Sequence, residues 1–233
     1  MKKILIRKAG YFLVTVSGIF LLLIFMAAMK HPGQKTYTYL ALGDSYTIGE
    51  KVKNSENFPN QVVTILREQE LDFKEPVIVA QTGWTTDELQ EGIIKTKLQR
   101  HYDFVTLLIG VNNQYRNRTV ADYIPQFESL LKKALKYTRN DPRHVIVLSI
   151  PDWGATPFAE GRDRKQIATQ IDEYNAANKL VAEKYKVHYI DITPGTREAT
   201  HDPELLASDG LHPSAKEYRR WANKAANLIK EEK

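Results

Sequence analysis

The chain contains no cysteine. That absence excludes a disulfide framework, a thiolate metal site, a cysteine nucleophile and a lipid anchor attached through sulfur. Glycine and proline are sparse, 12 and 10 in 233 residues, which leaves no room for a long low-complexity linker and predicts one globular unit. A charge excess is also missing from most of the chain. Five of the 33 Lys/Arg and none of the 28 Asp/Glu fall in residues 1–30, so the remainder holds 28 of each sign and the net +5 belongs to the N-terminal segment. A neutral domain has no field to steer a polyanion, and nucleic acid is not an expected partner. His31, His101, His144 and His188 lack metal-ligand spacing, His201 reads as a surface residue, and neither metal nor cofactor is expected.

What is present begins with 21 residues, Ala9 to Met29, without a charge, preceded by Lys2, Lys3, Arg7 and Lys8 and closed by Lys30. At about 1.5 Å per residue such a helix covers about 30 Å, the hydrocarbon thickness of a bilayer. A cleaved signal peptide has the same basic start but a shorter apolar run and small residues ahead of its cleavage point. Here Met26, Met29 and Lys30 surround Ala28. The expected organisation is an uncleaved transmembrane signal anchor over 1–30, a tether over 31–36 and a catalytic domain over 37–233. The basic flank places the domain outside the membrane, single-pass, and cleavage would make it secreted.

Beyond the tether, short apolar runs rich in β-branched residues alternate with helical periodicity. The strand candidates are Tyr37 to Leu42, Val77 to Ala80, Phe104 to Ile109, Val145 to Ile150 and Val187 to Ile190. Apolar faces three or four residues apart are made by Val62, Ile65 and Leu66, by Ile124, Phe127, Leu130 and Leu131, by Ile171, Tyr174 and Val181, and by Tyr218, Trp221, Ala225 and Ile229. Five strands with intervening helices predict an α/β fold, a three-layer α/β/α sandwich with a five-stranded parallel sheet.

A parallel sheet gathers whatever follows its strands onto one rim, and the chemistry-bearing residues fall there. Ser45, in Gly43-Asp44-Ser45, follows the first strand; Gly83 follows the second; Asn112, in Gly110-Val111-Asn112-Asn113, follows the third. Asp209 and His212, in Ser208-Asp209-Gly210-Leu211-His212-Pro213, precede the last helical face. A serine hydroxyl needs an imidazole to take its proton, and a carboxylate three residues before that imidazole can orient it across a glycine turn. The backbone N–H groups of Ser45 and Gly83 and the carboxamide of Asn112 are suited to hold an oxyanion. Each of these residues alone is ordinary turn chemistry; their joint placement carries the argument.

Together they resemble the SGNH (GDSL) hydrolases, from about Tyr37 to Lys230. Gly43-Asp44-Ser45 matches the first block, Gly83 the second, Gly110-x-Asn112-Asn113 the third and Asp209-x-x-His212 the last. The resemblance implies a flavodoxin-like sandwich with strand order 2-1-3-4-5 and a cofactor-free serine esterase. In it Ser45 is the nucleophile, His212 the base, Asp209 its orienting carboxylate, and Ser45, Gly83 and Asn112 the oxyanion hole. Asp44 supports the nucleophile turn and takes no proton in the reaction. Asn113 stands where the family more often has Asp, which puts the local hydrogen bonding in question. Trp84, Asn113 and Trp153 are candidates for substrate contact, the last on the longest rim loop, Pro151 to Lys165, which also holds Phe158. The expected partner is a small-molecule, glycan or lipid ester, with the membrane held through residues 9–29. Three functional readings share these residues: hydrolysis of a carbohydrate, lysophospholipid or other lipid ester or a thioester, acyl transfer to a sugar hydroxyl, and a glycan-binding module without turnover.

Overall fold

The central strands are continuous apolar runs because both of their faces are covered. A computed structural model describes residues 35–233, so the expected anchor over 1–30 and residues 31–34 of the tether lie outside the described residues. Strands β1 (Tyr39–Asp44), β2 (Val77–Gln81), β3 (Phe104–Leu108), β4 (Val145–Leu148) and β5 (His188–Ile190) form one sheet in the order β2-β1-β3-β4-β5. Every neighbouring pair is parallel. Residues of β1, β3 and β4 are buried throughout, whereas the edge strands β2 and β5 are partly exposed.

The helices are α1 (Ser45–Ile48), α2 (Phe58–Glu68), α3 (Thr86–Lys95), α4 (Val111–Tyr115), α5 (Val120–Tyr137), α6 (Arg164–Lys184), α7 (Thr193–Arg197) and α8 (Ala215–Glu232). Packing divides the long ones into two groups, α2 with α8 and α5 with α3 and α6. The chain moves from β1 to β2 in one direction across the sheet and from β2 to β3 in the other. Right-handed crossovers therefore put these groups on opposite faces, which makes the three layers. Caps set where the helices begin: the Asn57 side chain accepts from Asn60 N at 3.0 Å ahead of α2, and Thr85 with Glu88 forms a capping box ahead of α3.

Two expectations shift. The first strand starts at Tyr39 and runs on to Asp44, because Gly43 still pairs with Ala80 and Leu108 and Asp44 with Gln81, while Tyr37 makes only an isolated bridge to Phe73. Ile124, assigned to the apolar face of α5, is 37% exposed, whereas Phe127, Leu130 and Leu131 are fully buried. Among the described residues no helix is long and apolar enough to cross a membrane.

Candidate active site

The reversal of winding direction between β1 and β3 opens a crevice beyond their carboxyl ends, the usual ligand position in open α/β sheets. Ser45 enters it at the first position of α1, and Asn112 at the second position of α4. The turn into α1 requires glycine at position 43. A Cβ there would lie 2.0 Å from Thr47 Oγ1 and 2.5 Å from the Leu108 carbonyl oxygen. Asp44 caps α1 by accepting from Tyr46 N at 3.0 Å. The backbone N–H of Ser45, at the start of the helix, has no partner within it.

His212 arrives from the other end of the sequence on a stapled loop. Ala207 N donates to the His212 carbonyl oxygen at 2.8 Å, Ser214 N to the Leu205 carbonyl oxygen at 2.8 Å and Phe158 N to the Gly210 carbonyl oxygen at 3.2 Å. Gly210 turns the loop at φ +64°. Asp209 Oδ1 accepts from Leu211 N at 3.1 Å and His212 N at 3.0 Å. Its Oδ2 accepts the Nδ1–H of the His212 ring at 2.7 Å, which leaves Nε2 for a substrate or nucleophile. The Tyr46 ring packs against this imidazole at 5.0 Å between centroids.

Ser45, Asn112 and His212 line one cavity of about 120 Å3, with Tyr46, Val111, Tyr115, Trp153, Phe158 and Leu211 as its walls. No hydrogen bond among the described residues joins Ser45 Oγ to His212. Trp153 is set by its Nε1–H, which donates to Gln114 Oε1 at 2.7 Å, and Tyr115 and Phe158 meet it edge-on at 5.2 and 6.0 Å. The loop carrying Trp153 is anchored through buried Asp152, which accepts from Gly154 N at 2.9 Å and from Arg197 Nε at 2.8 Å.

The other candidates are placed less centrally. Gly83 lies on the loop after β2, outside the cavity lining, with φ +82° and its carbonyl accepting from Arg116 at 2.6 Å. Asn112 Nδ2 donates to the Trp84 carbonyl oxygen at 3.0 Å and lies 3.3 Å from Asp44 Oδ2. The Trp84 ring faces α3, where a Cβ on Gly92 would fall 2.2 Å from it, so this residue meets Asn112 through its backbone and is not part of the cavity wall. Asn113 is buried, and both ends of its carboxamide are committed to Thr86, at 3.1 Å to the backbone N and 2.8 Å to Oγ1. Of the candidates for substrate contact, Trp153 lines the cavity, whereas Trp84 and Asn113 pack behind the rim. Tyr46, Val111, Tyr115 and Leu211 were not legible as wall residues, although Tyr46, Val111 and Leu211 each flank a motif residue.

The two carboxyls are shifted in opposite directions. Burial raises the Asp44 carboxyl from its ordinary 3.8 to about 7, against hydrogen bonds from Tyr46 N and Asn112 that work in the opposite direction. Asp209 is also raised by partial burial, but the hydrogen bonds from His212 and Leu211 outweigh it and hold this carboxyl below its ordinary range. Such an arrangement can transfer a proton through an imidazole whose positive charge is balanced by an ionised neighbour. Among the described residues no three His, Asp or Glu side chains gather as a metal-ligating group.

Comparison with known proteins agrees with the fold. The sequence model of the GDSL-like lipase/acylhydrolase family matches residues 41–220. No curated protein matches the chain. Among solved structures, a lipase/acylhydrolase from Enterococcus faecalis is 22% identical with TM-score 0.63, covering 84% of this chain and 96% of its own. An acetylxylan esterase from Geobacillus stearothermophilus is 20% identical with TM-score 0.65, covering 83% and 94%. A psychrotrophic esterase from Pseudoalteromonas sp., in a structure inhibited by monoethylphosphonate, is 16% identical with TM-score 0.60, covering 84% and 97%.

Proposed function

This chain belongs to the GDSL-like lipase/acylhydrolase family and is an ester-hydrolysing enzyme, and we propose that it cleaves esters of short acyl groups through a Ser45 acyl-enzyme. The observation that carries this reading is the shared cavity: Ser45 and an Asp209-bonded His212, 167 positions apart, line the same small space. Its volume of about 120 Å3 is well below the roughly 300 Å3 at which sites for drug-sized ligands begin, and favours a short acyl chain.

Ser45 Oγ attacks the ester carbonyl carbon while His212 Nε2 takes its proton. The carbonyl oxygen becomes an oxyanion, received by the backbone N–H of Ser45 and by the Asn112 carboxamide, which line the cavity, while the Gly83 N–H, on the rim loop outside that lining, is the third proposed donor. Asn112 can turn an N–H to it by giving up the long 3.3 Å contact with Asp44. Collapse breaks the bond to the alcohol oxygen, which leaves with the proton from His212. Water then adds to the acyl-enzyme by the same route in reverse roles, releasing the acid. Asp209 stays ionised and stabilises the imidazolium in both halves.

A fluorophosphonate probe tests the assignment. Labelling on Ser45, lost in Ser45→Ala along with hydrolysis of p-nitrophenyl acetate, is the expected result; folded protein that is neither labelled nor active on short esters rejects it. Free acid as the sole product in the presence of added polyol separates hydrolysis from acyl transfer. The domain is further proposed to face the extracytoplasmic side on the uncharged run Ala9 to Met29, which membrane fractionation with protease accessibility checks.

A further inference from the structure

A second cavity of about 280 Å3 adjoins the first and shares Tyr115 and Trp153 with it. The ester chemistry makes no use of this space. Its other walls come from α4 and the turn after it, the loop ahead of α6 and the first turns of α6. They present four carboxamides, Gln114, Asn117, Gln166 and Gln170, with one Arg162 and one Asp163. The chemistry of these groups is selective. Each carboxamide offers both donor and acceptor, as each hydroxyl of a polyol does. The single Arg and single Asp cancel formally, so no cationic cluster awaits a phosphate or carboxylate.

The wall is also preorganised. Gln114 is buried, and its carboxamide is held in place, accepting from Trp153 Nε1 at 2.7 Å and donating to Gln170 Oε1 at 2.8 Å. Among the described residues, Gln170 Nε2 and the side-chain amides of Asn117 and Gln166, all of which line this cavity, make no hydrogen bond. The shared aromatic wall supplies an apolar surface beside them: Trp153 is nearly buried and fixed, while Tyr115 is 43% exposed at the mouth. An apolar ring face next to convergent donors and acceptors fits a pyranose, which has C–H faces and a hydroxyl rim.

We propose that this polar cavity is the subsite for the alcohol portion of the substrate, and that the substrate is an uncharged O-acylated sugar. Its ring lies against Tyr115 and Trp153, its hydroxyls meet Gln166, Gln170 and Asn117, and its acyl group enters the apolar cavity. The inference rests on the acyl-enzyme reading above and adds the substrate class to it.

The test compares kcat/KM of the full chain on a monoacetylated methyl xyloside, on p-nitrophenyl acetate and on a lysophospholipid, in the wild type and in Gln166→Ala/Gln170→Ala. The expected result is a preference for the acetylated sugar that falls at least tenfold in the double variant relative to p-nitrophenyl acetate, chiefly through KM for the sugar ester. Gln166→Glu, a single change at an exposed position, is expected to lower the same ratio and guards against a folding defect in the double variant. An unchanged ratio in both variants, or a wild-type preference for the lysophospholipid, overturns the sugar subsite while Ser45-dependent cleavage of p-nitrophenyl acetate still stands. Failure to cleave p-nitrophenyl acetate, or cleavage that survives Ser45→Ala, overturns the acyl-enzyme reading instead.

Discussion

The turn after β1 and the loop ahead of α8 each place an aspartate beside the cavity, and the two behave oppositely. Asp44 is fully buried and accepts from one backbone N–H and one carboxamide. Asp209 keeps 21% of its side-chain surface and accepts from two backbone N–H groups and an imidazole. The first carboxyl titrates near 7 and the second stays ionised well below neutrality. Residue type is therefore a poor guide to acidity: desolvation without a cation raises one carboxyl, and three donors hold the other below its ordinary range. Only Asp209 is equipped to balance a positive His212.

Variants of the two regions break or sharpen this contrast. Ser45→Ala removes the hydroxyl between them, and kcat for short esters is expected to fall by about 10^4-fold or more, measured with folded protein of unchanged circular dichroism. Asp209→Asn replaces the acceptor of the His212 Nδ1–H by a group able to turn an N–H toward it. The expected loss in kcat is about 10^2 to 10^4-fold, with the wrong imidazole tautomer visible by NMR of the ring nitrogens.

Asp44→Asn is expected to lower kcat by no more than about tenfold, and its main signature is in stability. A carboxyl whose pKa is raised on folding holds its proton in the native state while the unfolded chain has lost it. Stability contributed at Asp44 is thus fullest below about 4 and falls as pH rises toward about 7, by about 4 kcal/mol in all. Denaturant titrations across that range should show wild type losing stability relative to Asp44→Asn as pH increases. A constant difference between them would mean that the buried carboxyl does not titrate there. Smallest of all, Phe158→Ala opens one edge of the aromatic wall. It is expected to raise KM for short esters about two- to fivefold, in keeping with the lower part, ~0.5–1 kcal/mol, of the range for an edge-on aromatic contact; steady-state kinetics on an acetyl ester measures it.

Much of the architecture was legible because its signals are local. Val105, Leu107, Ile146 and Val147 lie in runs of apolar residues that only a strand covered on both faces requires, and the periodic faces around Phe127 and Trp221 end in the core as expected. Ile124 misled because a single apolar residue at helical spacing fits the stripe whether or not the neighbouring layer reaches it. The supporting residues were less legible. Trp84 and Asn113 follow or flank motif residues, yet the direction of a side chain depends on φ and ψ at the turn and on what packs behind it. Trp84 meets Gly92, and Asn113 meets Thr86.

Sequence alone determined the strand–helix alternation, the absence of sulfur chemistry, and the order of Ser45, Gly83, Asn112, Asp209 and His212 along the chain. These are properties of spacing and residue type, readable without coordinates. Tertiary structure decided which of them share a cavity, that Tyr115 and Trp153 line both an apolar and a polar space, and that two aspartates are shifted in opposite directions. Those outcomes depend on burial and on donors brought from distant segments, and the free energy of a charged group is set by that surrounding, which no local stretch of sequence contains.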